Sequence, residues 1–229
     1  MSRVTTLSGY FLGGFYLAFT FALDFFTSPY FMLFARLCVG GVFIVSGLGK
    51  WVDKTGTEVS MSKYLFLPVG SGRFIANVFP PLEMAIGLAL VFGLLTRLAA
   101  VGAFLLFILF TILVIYDLSS GKNESCHCFG KLSDDKLTPV AVVRNVFLLA
   151  LSALIVFAFD GWFSLDASLD SATGGSLPLL AHRVSAAYPP DGATAVLLVV
   201  LSIFAVAIIV FGGQAVSTVR NTLNGLGFR

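Results

Sequence analysis

Apolar residues run through six long stretches of the chain, Leu7–Thr27, Phe31–Gly49, Phe79–Leu95, Leu98–Tyr116, Pro139–Phe159 and Ala193–Gly213, each interrupted by few charges. Runs of this length, apolar all round, predict membrane-spanning helices. Ser28-Pro29 separates the first two, and Thr96-Arg97 makes a tight turn between the third and fourth, which must then be antiparallel neighbours. Three polar segments remain. Residues 52–78 form a mixed loop whose Tyr64–Pro68 patch suits a membrane surface, 117–138 carries two cysteines, and 160–192 is acidic and reads as solvated.

Composition reinforces that picture. Of 229 residues, 58% are hydrophobic and 11% charged, with 24 Phe, more apolar side chain than one water-soluble core of this size needs. The expected fold is an all-α integral membrane protein of about six transmembrane helices. Its parts are an N-terminal helix (1–30), a four-helix core (31–160), a solvated loop (161–192) and a C-terminal helix with its tail (193–229). A signal peptide is the rival reading of the first stretch, but the run is long, rich in Phe, and lacks a small-residue cleavage site before Asp24. The net charge of +2, without a basic run, argues against a nucleic-acid partner. Membrane lipid is the expected surroundings.

Apart from Asp24 in the first run, the ionisable residues that stand out within or beside the apolar stretches are Arg36, Lys50, Glu83 and Arg144. At membrane depth a charge must be paired or solvated. Glu83 and Arg144 lie early in spans that run the same way, so they are expected to pair beneath the 117–138 loop. Arg36 starts its span in the opposite leaflet and is expected to snorkel. Lys50-Trp51 reads as an interfacial anchor. Such a charge pair serves equally as a structural tie and as a proton-handling or quinone-side group. With six spans and the N-terminus inside, the inner segments hold Arg3, Lys50, Lys54, Lys63, Arg73, Lys122, Lys131, Lys136, Arg220 and Arg229, the outer ones Arg97 and Arg183. That distribution puts the 117–138 loop on the cytoplasmic side.

Chemistry concentrates in Ser125-Cys126-His127-Cys128-Phe129-Gly130. A Cys-X-Cys pair would close a small, strained ring, which raises its reduction potential and suits a pair that passes oxidation onward. His127 could supply a proton or stabilise a thiolate. The catalytic candidates are therefore Cys126, Cys128 and His127, with Cys38 read as a small buried side chain. Adjacent ligand types cannot easily converge on one tetrahedral ion, so no metal is expected, and no GxGxxG marks a dinucleotide cofactor. A membrane quinone would serve as electron acceptor, although no residue marks a pocket for it. The Gly49-Lys50 step lacks the flanking residues of a P-loop.

Arg36, Ser46-Gly47-Leu48-Gly49-Lys50, Pro80-Pro81-Leu82-Glu83, Gly93-Leu94-Leu95-Thr96-Arg97, Cys126-His127-Cys128-Phe129-Gly130 and Arg144-Asn145, in this order and spacing, resemble the MauE branch of the DoxX-like membrane proteins. The resemblance covers Phe31–Phe159, with the first and last spans as additions. It implies a multi-pass protein of the bacterial inner membrane that helps a periplasmic enzyme of methylamine utilisation acquire its disulfides, alongside a thioredoxin-like partner. The implied redox pair is Cys126 and Cys128, facing away from the cytoplasm. This opposes the charge distribution, since stable disulfides belong to oxidising compartments.

Two function classes follow. One is a membrane thiol/disulfide redox protein acting on a thiol partner and passing electrons to the quinone pool. The other is a non-catalytic accessory subunit stabilising a larger membrane complex of respiratory or photosynthetic type. A transporter is disfavoured by the scarcity of polar residues and the absence of two repeated halves.

Overall fold

The computed structural model describes residues 20, 24–62, 71–119, 139–158, 164–166 and 192–225. Among these every regular element is a helix: α1 (Pro29–Val52), α2 (Lys54–Ser62), α3 (Ser71–Phe92), α4 (Thr96–Ser119), α5 (Pro139–Ala158) and α6 (Gly192–Gly225). The all-helical expectation holds. Among the described residues four stretches are long and apolar enough to cross a membrane, Pro29–Val52, Gly72–Phe92, Thr96–Tyr116 and Gly192–Phe211, whereas the apolar part of α5, Ala141–Phe157, is shorter. The expected count of six spans is therefore not confirmed among the described residues. Most of the expected first span and both cysteines of the 117–138 loop lie outside the described residues.

The Ser28-Pro29 step starts α1 rather than simply breaking the chain. The Ser28 hydroxyl accepts the Phe31 N–H at 3.3 Å, and Pro29 occupies a position whose missing N–H has no helical partner to lose. At the far end Asp53 caps α1 and accepts the Gly56 N–H at 3.0 Å, turning the chain directly into α2. Part of the expected 52–78 loop is therefore helical. α3 begins at Ser71 instead of Phe79, so Pro80 and Pro81 sit inside the helix. Their missing donors remove two intrahelical bonds, a loss that packing against a neighbouring helix offsets.

In lipid the drive that holds helices together is close packing, and small residues allow it. α1 and α3 run antiparallel with Gly40 and Gly87 back to back. A Cβ built on Gly40 would stand 2.8 Å from the Gly87 oxygen, and one on Gly87 2.7 Å from the Gly40 oxygen. Gly47 meets the Pro80 oxygen and Met84 in the same way. α1 thereby becomes the central element, with Val39, Val42 and Phe43 joining Leu90, Ala103, Phe107, Leu148 and Ile155 in one core. The rings of Phe43 and Phe107 lie 4.8 Å apart. α6 touches this core on one side, through Val206 against Gly41 and the buried Val210, while Val196, Ile203, Phe204 and Ile208 face outward. That distribution suits a helix with one face in lipid.

Candidate functional site

The bundle buries charge at both ends. At one end α3 terminates in a reverse turn: the Gly93 N–H donates to the Leu90 oxygen and the Leu94 N–H to the Ala89 oxygen, with Gly93 at φ +68. This is a Schellman closure, which favours glycine at the left-handed position. Arg36 reaches the same helix end, its Nε donating to the Leu90 oxygen at 3.1 Å and its Nη2 to the Val91 oxygen at 3.4 Å. Arg36 is buried, so the expected snorkelling is overturned: the guanidinium adds a second donor to the Leu90 oxygen and reaches the Val91 oxygen at the negative end of the helix.

Leu95, next to that turn, occupies the N-cap position of α4 but has no side-chain oxygen to cap it. Asp166 supplies one from seventy-odd residues away. Its carboxylate accepts the Leu95 N–H at 2.6 Å, the Thr96 N–H at 2.8 Å and the Thr96 hydroxyl at 2.9 Å, and its own N–H donates to the Gly93 oxygen. A negative group at a helix N-terminus also meets the positive end of the helix dipole. The reading of 161–192 as solvated is corrected at this residue, which is 1% exposed.

The other end is built differently. Phe43, Ser46, Gly47 and Lys50 recur at three- and four-residue steps, which places them on one face of α1. Lys50 forms an ion pair with Glu83 of α3, and the Ser46 hydroxyl donates to Glu83 Oε2 at 3.1 Å. The ammonium also lies 4.3 Å from the centroid of the Phe110 ring on α4, where the negative face of the ring favours a cation. Lys50 and Glu83 are 1% and 0% exposed. The partner of Glu83 is thus Lys50 where Arg144 was expected, because the close α1–α3 approach brings the lysine alongside.

Lys50 is accordingly no interfacial anchor. That role fits Trp51, which is exposed and has the Lys54 ammonium 4.4 Å from its ring centroid. Arg144 borders a cavity of about 20 Å³, enough for one water, together with Ser46, Asn145, Phe107 and Phe110. The sequence singles out Lys50, Glu83 and Arg144 as intramembrane charges, and Ser46 and Asn145 only as parts of motifs, with no role of their own. The four-residue spacing of Ser46 and Lys50 is a signal for the first and the Arg144-Asn145 step for the second; nothing local marks Phe110.

α4 leaves the bundle at Ser119 and α5 enters at Pro139, both at the end that holds Lys50 and Glu83. Cys126, His127 and Cys128 belong to the segment joining them and lie outside the described residues. Cys38 is buried on α1 and bonds Ser202 of α6, which agrees with a packing role. Among the described residues no group of three or more His, Cys, Asp or Glu could hold a metal ion.

No solved structure matches the chain. Among curated proteins, the methylamine utilization protein MauE of Paracoccus denitrificans is 27% identical over 203 residues, covering 88% of this chain and 98% of that protein. The similarity to that protein therefore extends well beyond the four-helix core. The family described as methylamine utilisation protein MauE matches residues 28–158, which hold both buried charge clusters except Asp166. With apolar helices of spanning length and that match over more than half its length, this chain is a multi-pass membrane protein that belongs to the MauE family.

Proposed function

We propose that the chain is a membrane accessory protein of methylamine utilisation that passes oxidation to a partner protein, thioredoxin-like or a maturing enzyme, through Cys126 and Cys128. In this reading a Cys126–Cys128 disulfide takes two electrons and two protons from a partner dithiol, leaving the partner with a disulfide. A membrane quinone then takes the electrons and protons and leaves as quinol. His127 stabilises the attacking thiolate or accepts its proton.

The observation that carries the reading is a buried ion pair, Lys50 with Glu83, toward the end of the bundle to which the cysteine segment is tied by Ser119 and Pro139. Ionisable groups at membrane depth mark functional sites by default, since apolar packing would serve stability at least as well. Family membership supports the methylamine-utilisation setting.

The test is side-specific labelling of Cys126 and Cys128 in intact cells with a membrane-impermeant maleimide, before and after reduction, against a variant retaining Cys38 alone. Labelling only after reduction is the expected result and places an oxidised pair outside. Labelling only in inverted vesicles, with no reduction needed, would overturn the redox reading in favour of an accessory subunit, which should then co-purify stoichiometrically with its complex.

A further inference from the structure

Taking two charges out of water costs several kcal/mol per ion, and mutual attraction repays this only when other hydrogen bonds complete the site. Lys50 and Glu83 meet that condition with side chains: Ser46 on Glu83, and the Phe110 ring under the ammonium. The arrangement leaves the carboxylate joined to a hydroxyl that has a second neighbour. Ser46 also lines the cavity of about 20 Å³ that Arg144 and Asn145 border from α5.

A hydroxyl carries one donor and two acceptor sites. While it donates to Glu83, Ser46 can therefore accept from a water held in that cavity, and exchanging both bonds moves a proton from the water to the carboxylate. Arg144 and Asn145 stand five and six residues inside α5, so the cavity lies about 8 Å below the point where the cysteine segment joins that helix. The charged and polar groups that face Glu83 or this cavity are Lys50 and Ser46 from α1 and Arg144 and Asn145 from α5, with Phe110 from α4 as the aromatic wall.

We infer that Ser46 relays protons between Glu83 and a water in the Ser46–Arg144–Asn145 cavity, making Glu83 the proton acceptor for oxidation of the cysteine pair. The inference rests on the thiol-redox reading above. In that step two S–H bonds break and one S–S bond forms, while two electrons pass to the quinone. The quinone takes one of the two protons along with the electrons, and Glu83 takes the other by way of Ser46 as its contact with Lys50 loosens. It returns the proton as the quinone becomes quinol, so the carboxylate and the ion pair are restored.

The experiment uses the full chain, reduced, in lipid nanodiscs with a short-chain ubiquinone as oxidant. Reoxidation of Cys126 and Cys128 is followed by maleimide trapping across pH, and folding is checked by thermal melts. Ser46→Ala is expected to slow reoxidation roughly tenfold or more while still melting cooperatively, at a somewhat lower temperature because Glu83 loses a buried hydrogen bond, and Ser46→Thr, which keeps the hydroxyl, to restore much of both. Glu83→Gln should slow it at least as much and flatten the pH profile. Ser152→Ala, a buried serine on α5 whose hydroxyl bonds the Leu149 oxygen, should leave the rate unchanged. Wild-type rates and an unaltered pH profile in Ser46→Ala and Glu83→Gln would overturn the relay while leaving the redox reading intact. A wild-type pair that no quinone reoxidises would overturn both.

Discussion

Arg36 and Lys50 lie on the same helix, both about 1% exposed, yet they do different work. Arg36 donates to the last carbonyls of α3, and Asp166 beside it accepts the first amides of α4, so this cluster completes backbone ends that lipid could not satisfy. Lys50 and Glu83 are joined side chain to side chain between two helices, next to a cavity and toward the end that leads to the cysteine segment. The first cluster is explained by the fold. The second is not, and a charge that the fold does not need is where chemistry is to be sought.

The largest expected effect that tests this contrast is at Glu83. Glu83→Leu alone leaves Lys50 buried without its counter-ion and should destabilise by about 3–5 kcal/mol in a reversible unfolding titration in mixed micelles. Combining it with Lys50→Met should recover most or all of that stability while thiol reoxidation stays slow. A double variant as unstable as the single one would make the pair structural and dissolve the contrast.

Asp166→Ala comes next, expected to lose about 2 kcal/mol because three donors at the start of α4 lose a charged acceptor. Amide exchange at Leu95 and Thr96 should accelerate, with thiol reoxidation little changed once the protein is folded. Gly93→Ala is expected to cost about 1–2 kcal/mol, since its φ of +68 disfavours a side chain and the new Cβ would stand 2.6 Å from Arg36 Nη2. Its melting temperature should fall with no effect specific to the redox rate. The smallest effect belongs to the exposed Arg97, where Arg97→Gln should shift stability by no more than about 0.5 kcal/mol.

The buried Lys50 also bears on orientation. It was counted among the inner cations, but a lysine sealed against Glu83 does not present its charge to a membrane surface. The exposed cations at that end include Lys54 and Arg73, with Arg97 exposed at the other. The distribution still favours the same side, less strongly, and the labelling experiment decides between it and the oxidised pair.

The sequence by itself determined the class of structure, because long apolar runs leave helices as the way to satisfy backbone in lipid. It also determined the family, through motifs whose order survives without knowledge of their contacts, and the identity of most buried charges, since any ionisable residue inside such a run stands out. Only the tertiary structure decided what those charges meet. The Gly40–Gly87 approach draws Lys50 to Glu83 ahead of Arg144, and the chain path of Ser164–Asp166 returns a carboxylate to a turn some seventy positions earlier. Helical periodicity fixes the face of one helix on which a residue lies, whereas the partner across that face depends on how closely two backbones can approach, a property of small residues acting in pairs.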